Sequence, residues 1–185
     1  MQKKHFYFLA LAILLSSAAS AQKFRAVDKS PMDMAYYPDH FAHDRKAGDK
    51  AIVRVIYSRP QKNGRAIFGT TVPYQKVWRT GANEASEIKF YQDVEVAGKQ
   101  VKAGTYSLFT IPGEKEWTII LNSDLDFWGA YQYQERNDVI RVTAPATKAD
   151  NMVENFAIQF EKKEANSGVM KLGWDNTVVE VPFKF

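Results

Sequence analysis

The chain of 185 residues contains no cysteine. Disulfides are therefore excluded, and so are a thiol nucleophile and a lipid-modified cysteine behind an export signal; the fold must hold without covalent staples. Histidine is scarce, at three in the whole chain. No Gly-x-Ser-x-Gly elbow occurs, so a serine nucleophile would have to recruit His40 or His43 as its base. No glycine-rich phosphate loop opens a helix, and no cofactor is expected. Dense Lys/Arg tracts are missing, so no nucleic-acid partner is expected. Beyond the N-terminus no apolar run approaches membrane-spanning length, so no stable membrane span is expected. Long amphipathic helices, internal repeats, low-complexity tracts and linkers are also wanting.

What is present begins with an address. Lys3, Lys4 and His5 make a basic start, Phe6 to Leu15 a short apolar run, and Ala19-Ser20-Ala21 a small-residue end. These are the three regions of a secretory signal peptide over residues 1–21, with cleavage expected before Gln22. The alternative, an uncleaved anchor, fits poorly with so short an apolar run and so well formed a cleavage site. The expected product is exported, periplasmic or extracellular, and not a lipoprotein. Loss of Lys3 and Lys4 lowers the formal charge from +4 to +2, so the pI of 9.1 overstates how basic the mature protein is. What remains is one domain's worth of chain, able to bury roughly 70% of its unfolded surface. Aromatic residues, at 14%, are expected to supply much of its core.

Residues 22–50 have no clean period and read as an ordered N-terminal arm with room for one helical turn. From Ala51 the texture changes, and residues 51–185 read as a single domain. Ala51, Val53, Val55 and Tyr57 alternate with more polar neighbours, the period of a strand. Ser86 to Tyr91 forms another strand, and Val94 to Val101 a hairpin turning at Gly98. Tyr106–Ile111 and Trp117–Leu121 flank a polar loop. Asp124 to Tyr133 loses the period, and Val139 to Val142 resumes it. Phe156, Ile158 and Phe160 alternate cleanly. Turns are expected at Asn166-Ser167-Gly168 and at Asp175-Asn176, and Pro182 argues that the last strand is an edge. Roughly eight to ten short strands with little helix predict an all-β antiparallel sandwich, jelly-roll or immunoglobulin-like.

An ordered string of motifs runs through this region: Tyr57-Ser58-Arg59-Pro60, Gly64-Arg65-Ala66-Ile67-Phe68-Gly69, Val72-Pro73-Tyr74, Val77-Trp78-Arg79-Thr80-Gly81-Ala82-Asn83-Glu84 and Ala103 to Gly113. Glu116 to Ile120 and Trp128-Gly129-Ala130-Tyr131 continue it. The string resembles the secreted bacterial family catalogued as domain of unknown function 2911, over about residues 51 to 185. The resemblance implies a secreted, mostly β domain, often from envelopes of the Bacteroidetes type. It implies no activity and no catalytic residue.

Three constellations carry possible chemistry. In the first, Arg79 offers a rigid fork for a carboxylate, phosphate or vicinal hydroxyls, Gly81 and Asn83 allow a tight turn, and Glu84 can accept from a hydroxyl or act as a base. Two readings stay open: a concave site to which Arg79 and Glu84 both contribute, with Arg59 nearby, or a strand-turn-strand in which Arg79 pairs Glu84 and Trp78 fills the core. In the second, Asp124 and Asp126 stand beside Trp128 and Tyr131. Rings stack on sugar faces and acids bind hydroxyls, and paired acids serve glycoside cleavage. The other reading is a polar loop capping the sandwich, with Trp128 and Tyr131 as its plug. In the third, His40 and His43, three apart and flanked by acids, form a weak metal candidate that lacks a third ligand. No metal site is otherwise expected.

Three function classes follow. The first is a non-catalytic envelope module binding a small polar ligand or glycan through Arg59, Trp78, Arg79, Asn83, Glu84, Asp126, Trp128 and Tyr131. The second is a carbohydrate-directed hydrolase using Glu84 or Asp126. The third is an assembly partner in the envelope that offers a sheet edge. The export signal gives the first testable outcome: intact-mass measurement of exported protein should show a mature chain starting at Gln22, and a full-length cytoplasmic product would contradict it.

Overall fold

Val53, Val55 and Tyr57 all turn inward, as their alternation requires, and form the middle of strand β2, Val53–Ser58. The computed structural model describes residues 24–185; the expected signal peptide lies outside the described residues. The remaining strands are β1 Met32–Tyr37, β3 Ser86–Phe90, β4 Val94–Val96, β5 Lys99–Val101, β6 Gly104–Ile111, β7 Glu116–Asn122, β8 Asp138–Glu164 and β9 Ser167–Lys184. One short helix, α1 Phe41–Asp44, follows β1, and a 3-10 turn at Glu135–Asn137 precedes β8. Among the described residues no helix is long and apolar enough to cross a membrane.

The strands form one antiparallel nine-stranded sheet in the order β1-β2-β3-β6-β7-β8-β9-β4-β5. The sheet folds over itself because β8 changes partner. Its residues 138–145 pair with β7, and from Ala146 onward they pair with β9, with register shifts at Lys148/Val153 and Val153/Ala157. Such irregularities bend a strand and raise its twist. The chain leaves the first layer after β3 to make the β4–β5 hairpin beside β9, then returns as β6. The result is a sandwich-like all-β fold. Ile88, Ile119 and Leu121 of the first layer meet Phe160, Val181 and Phe183 of the second.

Several local expectations change. The arm over residues 22–50 contributes β1, which pairs with β2 from Met32↔Ser58 to Tyr37↔Val53. No turn interrupts the chain at Asp175-Asn176; β9 runs through it, with Asp175 at φ 54° where β8 slips register. The reversal before β9 falls at Ala165-Asn166, a residue or two earlier than expected. Pro182 does not mark an edge strand, since β9 lies between β8 and β4. The proline is tolerated because the β8 ladder has ended at Val179 and its own carbonyl accepts from Ala97 N at 2.9 Å, beyond the end of β4.

The strands β6 and β7 are buried on both faces. Leu108, Ile119 and Leu121 face the main core, while Phe109 and Ile120 join a second small cluster with Ala85 under the 123–133 loop. Trp117, Ile119, Leu121, Phe156, Ile158 and Phe160 are all buried in the main core. Replacement Ile119→Ala should cost about 2–5 kcal/mol in urea denaturation, and a loss below about 1 kcal/mol would place Ile119 on the wrong face.

Candidate functional site

The stretch Val77 to Glu84 is pinned at both ends, to different neighbours. Trp78 forms an isolated antiparallel bridge with Thr110 of β6, N to O at 2.7 Å and its reciprocal at 2.9 Å. Its indole Nε1 donates to Gly81 O at 3.0 Å. At the other end Glu84 bridges Trp128, Ala85 N donates to Phe127 O at 2.9 Å and Gly129 N donates to Asn83 O at 2.9 Å. Between them Thr80 and Asn83 hold left-handed backbone, φ 56° and 60°. For a fully buried, β-branched Thr80 this conformation is strained, by about 1–3 kcal/mol. It is held by Ser86 Oγ donating to Thr80 O at 2.6 Å and by Thr80 Oγ1 donating to Thr110 Oγ1 at 3.1 Å.

This geometry separates Arg79 from Glu84. Among the described residues the two form no ion pair, and they line different cavities rather than the single concave site expected for both. Arg79 lines a cleft of about 260 Å³, whose walls include Pro60, Val72, Val77, Trp78 and Trp174. Trp78 fills the core, as one of the two readings held, but without Arg79 pairing Glu84. Arg65 and Lys76 share the cleft, which has no carboxylate in its lining. Among the described residues Arg79 donates no side-chain hydrogen bond, and its Nε is buried without a partner.

Gly129 extends the picture. With φ 71°, it presents a bare Cα where an added Cβ would lie 3.0 Å from Arg79 Nη1 and 2.7 Å from Tyr131 Cε2. Arg79 is thus a residue of the cleft lining whose Nη1 lies at the foot of the aromatic loop. In that loop Phe127, Ala130 and Tyr133 turn down against Phe109 and Ile120. Trp128 and Tyr131 are not the plug; they stand outward at 59% and 82% exposure. Spacing by three residues puts the first set under the loop and the second on its surface.

Glu84 and Asp126 both line a second cavity of about 350 Å³ with Tyr57, Glu87 and Phe127. Asp124 is drawn elsewhere: it accepts from Asn137 Nδ2, and its carbonyl accepts from Ser107 Oγ at 2.6 Å. Asn83 Nδ2 donates to Asp28 Oδ1 at 3.0 Å, and the Ser30 amide, then Asn83, holds the Asp28 carboxyl below its ordinary range. Arg59 does not join Arg79. It ties β1 to β8, with Nη1 on Asp33 Oδ2 at 2.8 Å and Nε on Phe156 O at 3.1 Å. His40 and His43 pair with their own neighbours, Asp39 at 3.5 Å and Asp44 at 2.6 Å. Among the described residues no group of three His, Asp or Glu could hold a metal ion.

The sequence, over residues 39–183, matches the family described as Protein of unknown function (DUF2911). The chain belongs to that family. No match was found among curated proteins or among solved structures. Trp78, Arg79, Gly129 and the cleft's other two cations all fall inside the DUF2911 region, whereas Asp28 and Ser30, which border the turn, precede it.

Sequence reasoning passed over Arg65, Lys76 and Trp174. A signal for the cations was available: between residues 59 and 84 stand five of them, Arg59, Lys62, Arg65, Lys76 and Arg79, against the single acid Glu84. It also passed over the brace behind the aromatic loop, where Tyr133 Oη donates to Asp138 Oδ2 at 2.6 Å and Arg141 Nη1 donates to the same oxygen at 2.9 Å. Burial first, and the Asp138 hydrogen bond second, push the Tyr133 phenol well above its ordinary value. The fold therefore favours the neutral phenol. Its contribution is complete below the unfolded value of about 10 and fades as pH rises toward the folded one. The stability gap between the wild type and Tyr133→Phe, from urea midpoints, should accordingly narrow above about pH 10. A gap unchanged between pH 8 and pH 11 would count against the brace.

Proposed function

We propose that this DUF2911 protein is an exported envelope module that binds a small polar ligand or glycan without transforming it, with Arg79 as the principal contact. The observation that carries the reading is half-buried Arg79, a cleft-lining residue whose buried Nε meets no acceptor among the described residues. A buried donor left unpaired costs about 1–3 kcal/mol, so the fold gains nothing from placing it there unless a ligand or water completes it. The strain at Thr80 supports the same view, because it holds Arg79 in that position. Exposed Trp128 and Tyr131, flanking Gly129 beside Arg79 Nη1, suit the stacking of a sugar ring.

A second reading, hydrolysis of a carbohydrate, draws on the cavity that Glu84 and Asp126 share. Two carboxylates across one cavity are the minimum for acid-base cleavage of a glycosidic bond. The assembly reading draws on β1, an edge strand with Met32 and Met34 exposed at 62% and 47%.

An array of bacterial envelope glycans and monosaccharides distinguishes them. Arg79→Ala should weaken binding by about 1.5–3 kcal/mol while changing stability by less than about 1 kcal/mol. Binding that survives Arg79→Ala would remove this site from consideration. Release of new reducing ends, abolished by Glu84→Gln or Asp126→Asn, would replace the binding reading with the hydrolytic one.

A further inference from the structure

The charge of the Arg79 cleft specifies its ligand more narrowly than the binding reading, on which this step rests. Arg65, Lys76 and Arg79 line one small cleft with no acid among the residues that form it. The nearby cation Lys62 is already engaged, with Nζ 3.6 Å from Asp175. Arg65 is oriented by backbone: its Nε donates to Lys62 O at 3.0 Å and its Nη2 to Gln61 O, which leaves Nη1 for another partner. Among the described residues Lys76 has no ion pair and the buried Arg79 Nε has no partner. Three cations without counter-charge around a partly enclosed space raise the local potential for anions. A neutral hydroxyl would leave that potential unanswered, whereas an oxyanion answers it, and the arginine fork fits carboxylate and phosphate alike.

The remainder of the cleft limits what carries the charge. Val72, Pro73, Val77, Trp78 and Trp174 give it an apolar lining. A volume of about 260 Å³ falls just below the roughly 300–1,000 Å³ of ordinary small-molecule sites, enough for one compact ring and not for an extended chain. We propose that the cleft binds an acidic sugar unit, a carboxylate or phosphate on a monosaccharide-sized body, with the oxyanion between Arg79 and Lys76.

The test titrates wild type, Arg79→Gln and Lys76→Gln with glucuronate, glucose 6-phosphate, inorganic phosphate and glucose, following backbone amide shifts at low salt and at 0.5 M NaCl. Glucuronate or glucose 6-phosphate should shift the amides of Val77 to Ala82. Its affinity should fall at least tenfold in Arg79→Gln, severalfold in Lys76→Gln and severalfold at the higher salt. Glucose should bind at least tenfold more weakly than that anion. A response to glucuronate alone assigns a carboxylate, and to glucose 6-phosphate alone a phosphate. Glucose binding as tightly as the acidic sugars, yet lost in Arg79→Gln, would overturn the acidic-sugar proposal and leave the binding reading standing. Inorganic phosphate binding as tightly as the sugar anions would overturn the sugar-sized body. No Arg79-dependent shift with any of the four would overturn the acidic-sugar proposal, while the binding reading stands or falls with the glycan array. Lys76 is exposed, so Lys76→Gln keeps the outcome interpretable should Arg79→Gln unfold.

Discussion

Trp78 lies against Trp174 with ring centroids 5.9 Å apart and planes 17° from parallel. Trp78 belongs to a segment bridged to β6 in the first layer, and Trp174 to β9 in the second. Phe156 at 5.1 Å and Trp117 at 6.0 Å meet Trp78 edge-on, and Phe68 packs on Trp117 at 4.8 Å. Each such pair adds about 0.5–1.5 kcal/mol to the burial of large rings, and together they join the layers at one end without a disulfide. The position of Arg79 follows from this cluster. With its neighbour Trp78 anchored in the rings and Thr80 locked in a left-handed conformation, the Arg79 side chain has little freedom in where it emerges. Preorganisation of this kind lowers the ordering cost that a ligand would otherwise meet.

The second constraint is the loop over residues 123–133. Had β6 and β7 carried polar residues on their outer face, nothing would hold the loop there. Phe109 and Ile120 instead require cover, and Phe127, Ala130 and Tyr133 provide it. Asn122 adds a polar clasp, its Nδ2 donating to Asp138 Oδ1 at 2.8 Å and to Gln134 O at 3.1 Å. An irregular segment so fixed can present Trp128 and Tyr131 outward on a stable base, because its backbone is tied to Asn83 and Glu84 as well.

Much of this was legible in the sequence. Alternation found the inward faces of β2 and of the second half of β8, because a half-buried strand writes its burial directly into a period of two. The outer face of β6 and β7 was harder to read. Leu108-Phe109 and Ile119-Ile120-Leu121 are continuous apolar runs, which signal burial on both sides without saying what covers the second. The single long strands β8 and β9 each read as two, since a bulge and a turn share the same small polar residues, Asp175-Asn176 among them. The candidate site was legible only in part. Arg79 stood out by its unusual surroundings, but Trp174 is 95 positions away along the chain and reaches the cleft only through the folding of the sheet. The separation of Arg79 from Glu84 was beyond pattern reading, because it depends on which neighbours the two ends of the turn bond to.

That separation gives the molecule its electrical organisation. On one side of the Val77–Glu84 turn lies a cleft with three cations and no acid; on the other lies a cavity with Glu84, Glu87 and Asp126 and no cation. Only a few residues divide them, a distance over which unscreened charges still interact in part at physiological salt. Had Arg79 and Glu84 closed on each other, a solvent-screened pair would have contributed about 0–1 kcal/mol and each surface would have lost one of its charges. Held apart by Thr80 and Asn83, each keeps its charge available and each side keeps its sign. The strained turn therefore does what a relaxed one could not: it keeps a cation from the nearest anion in sequence and leaves the two lining different cavities.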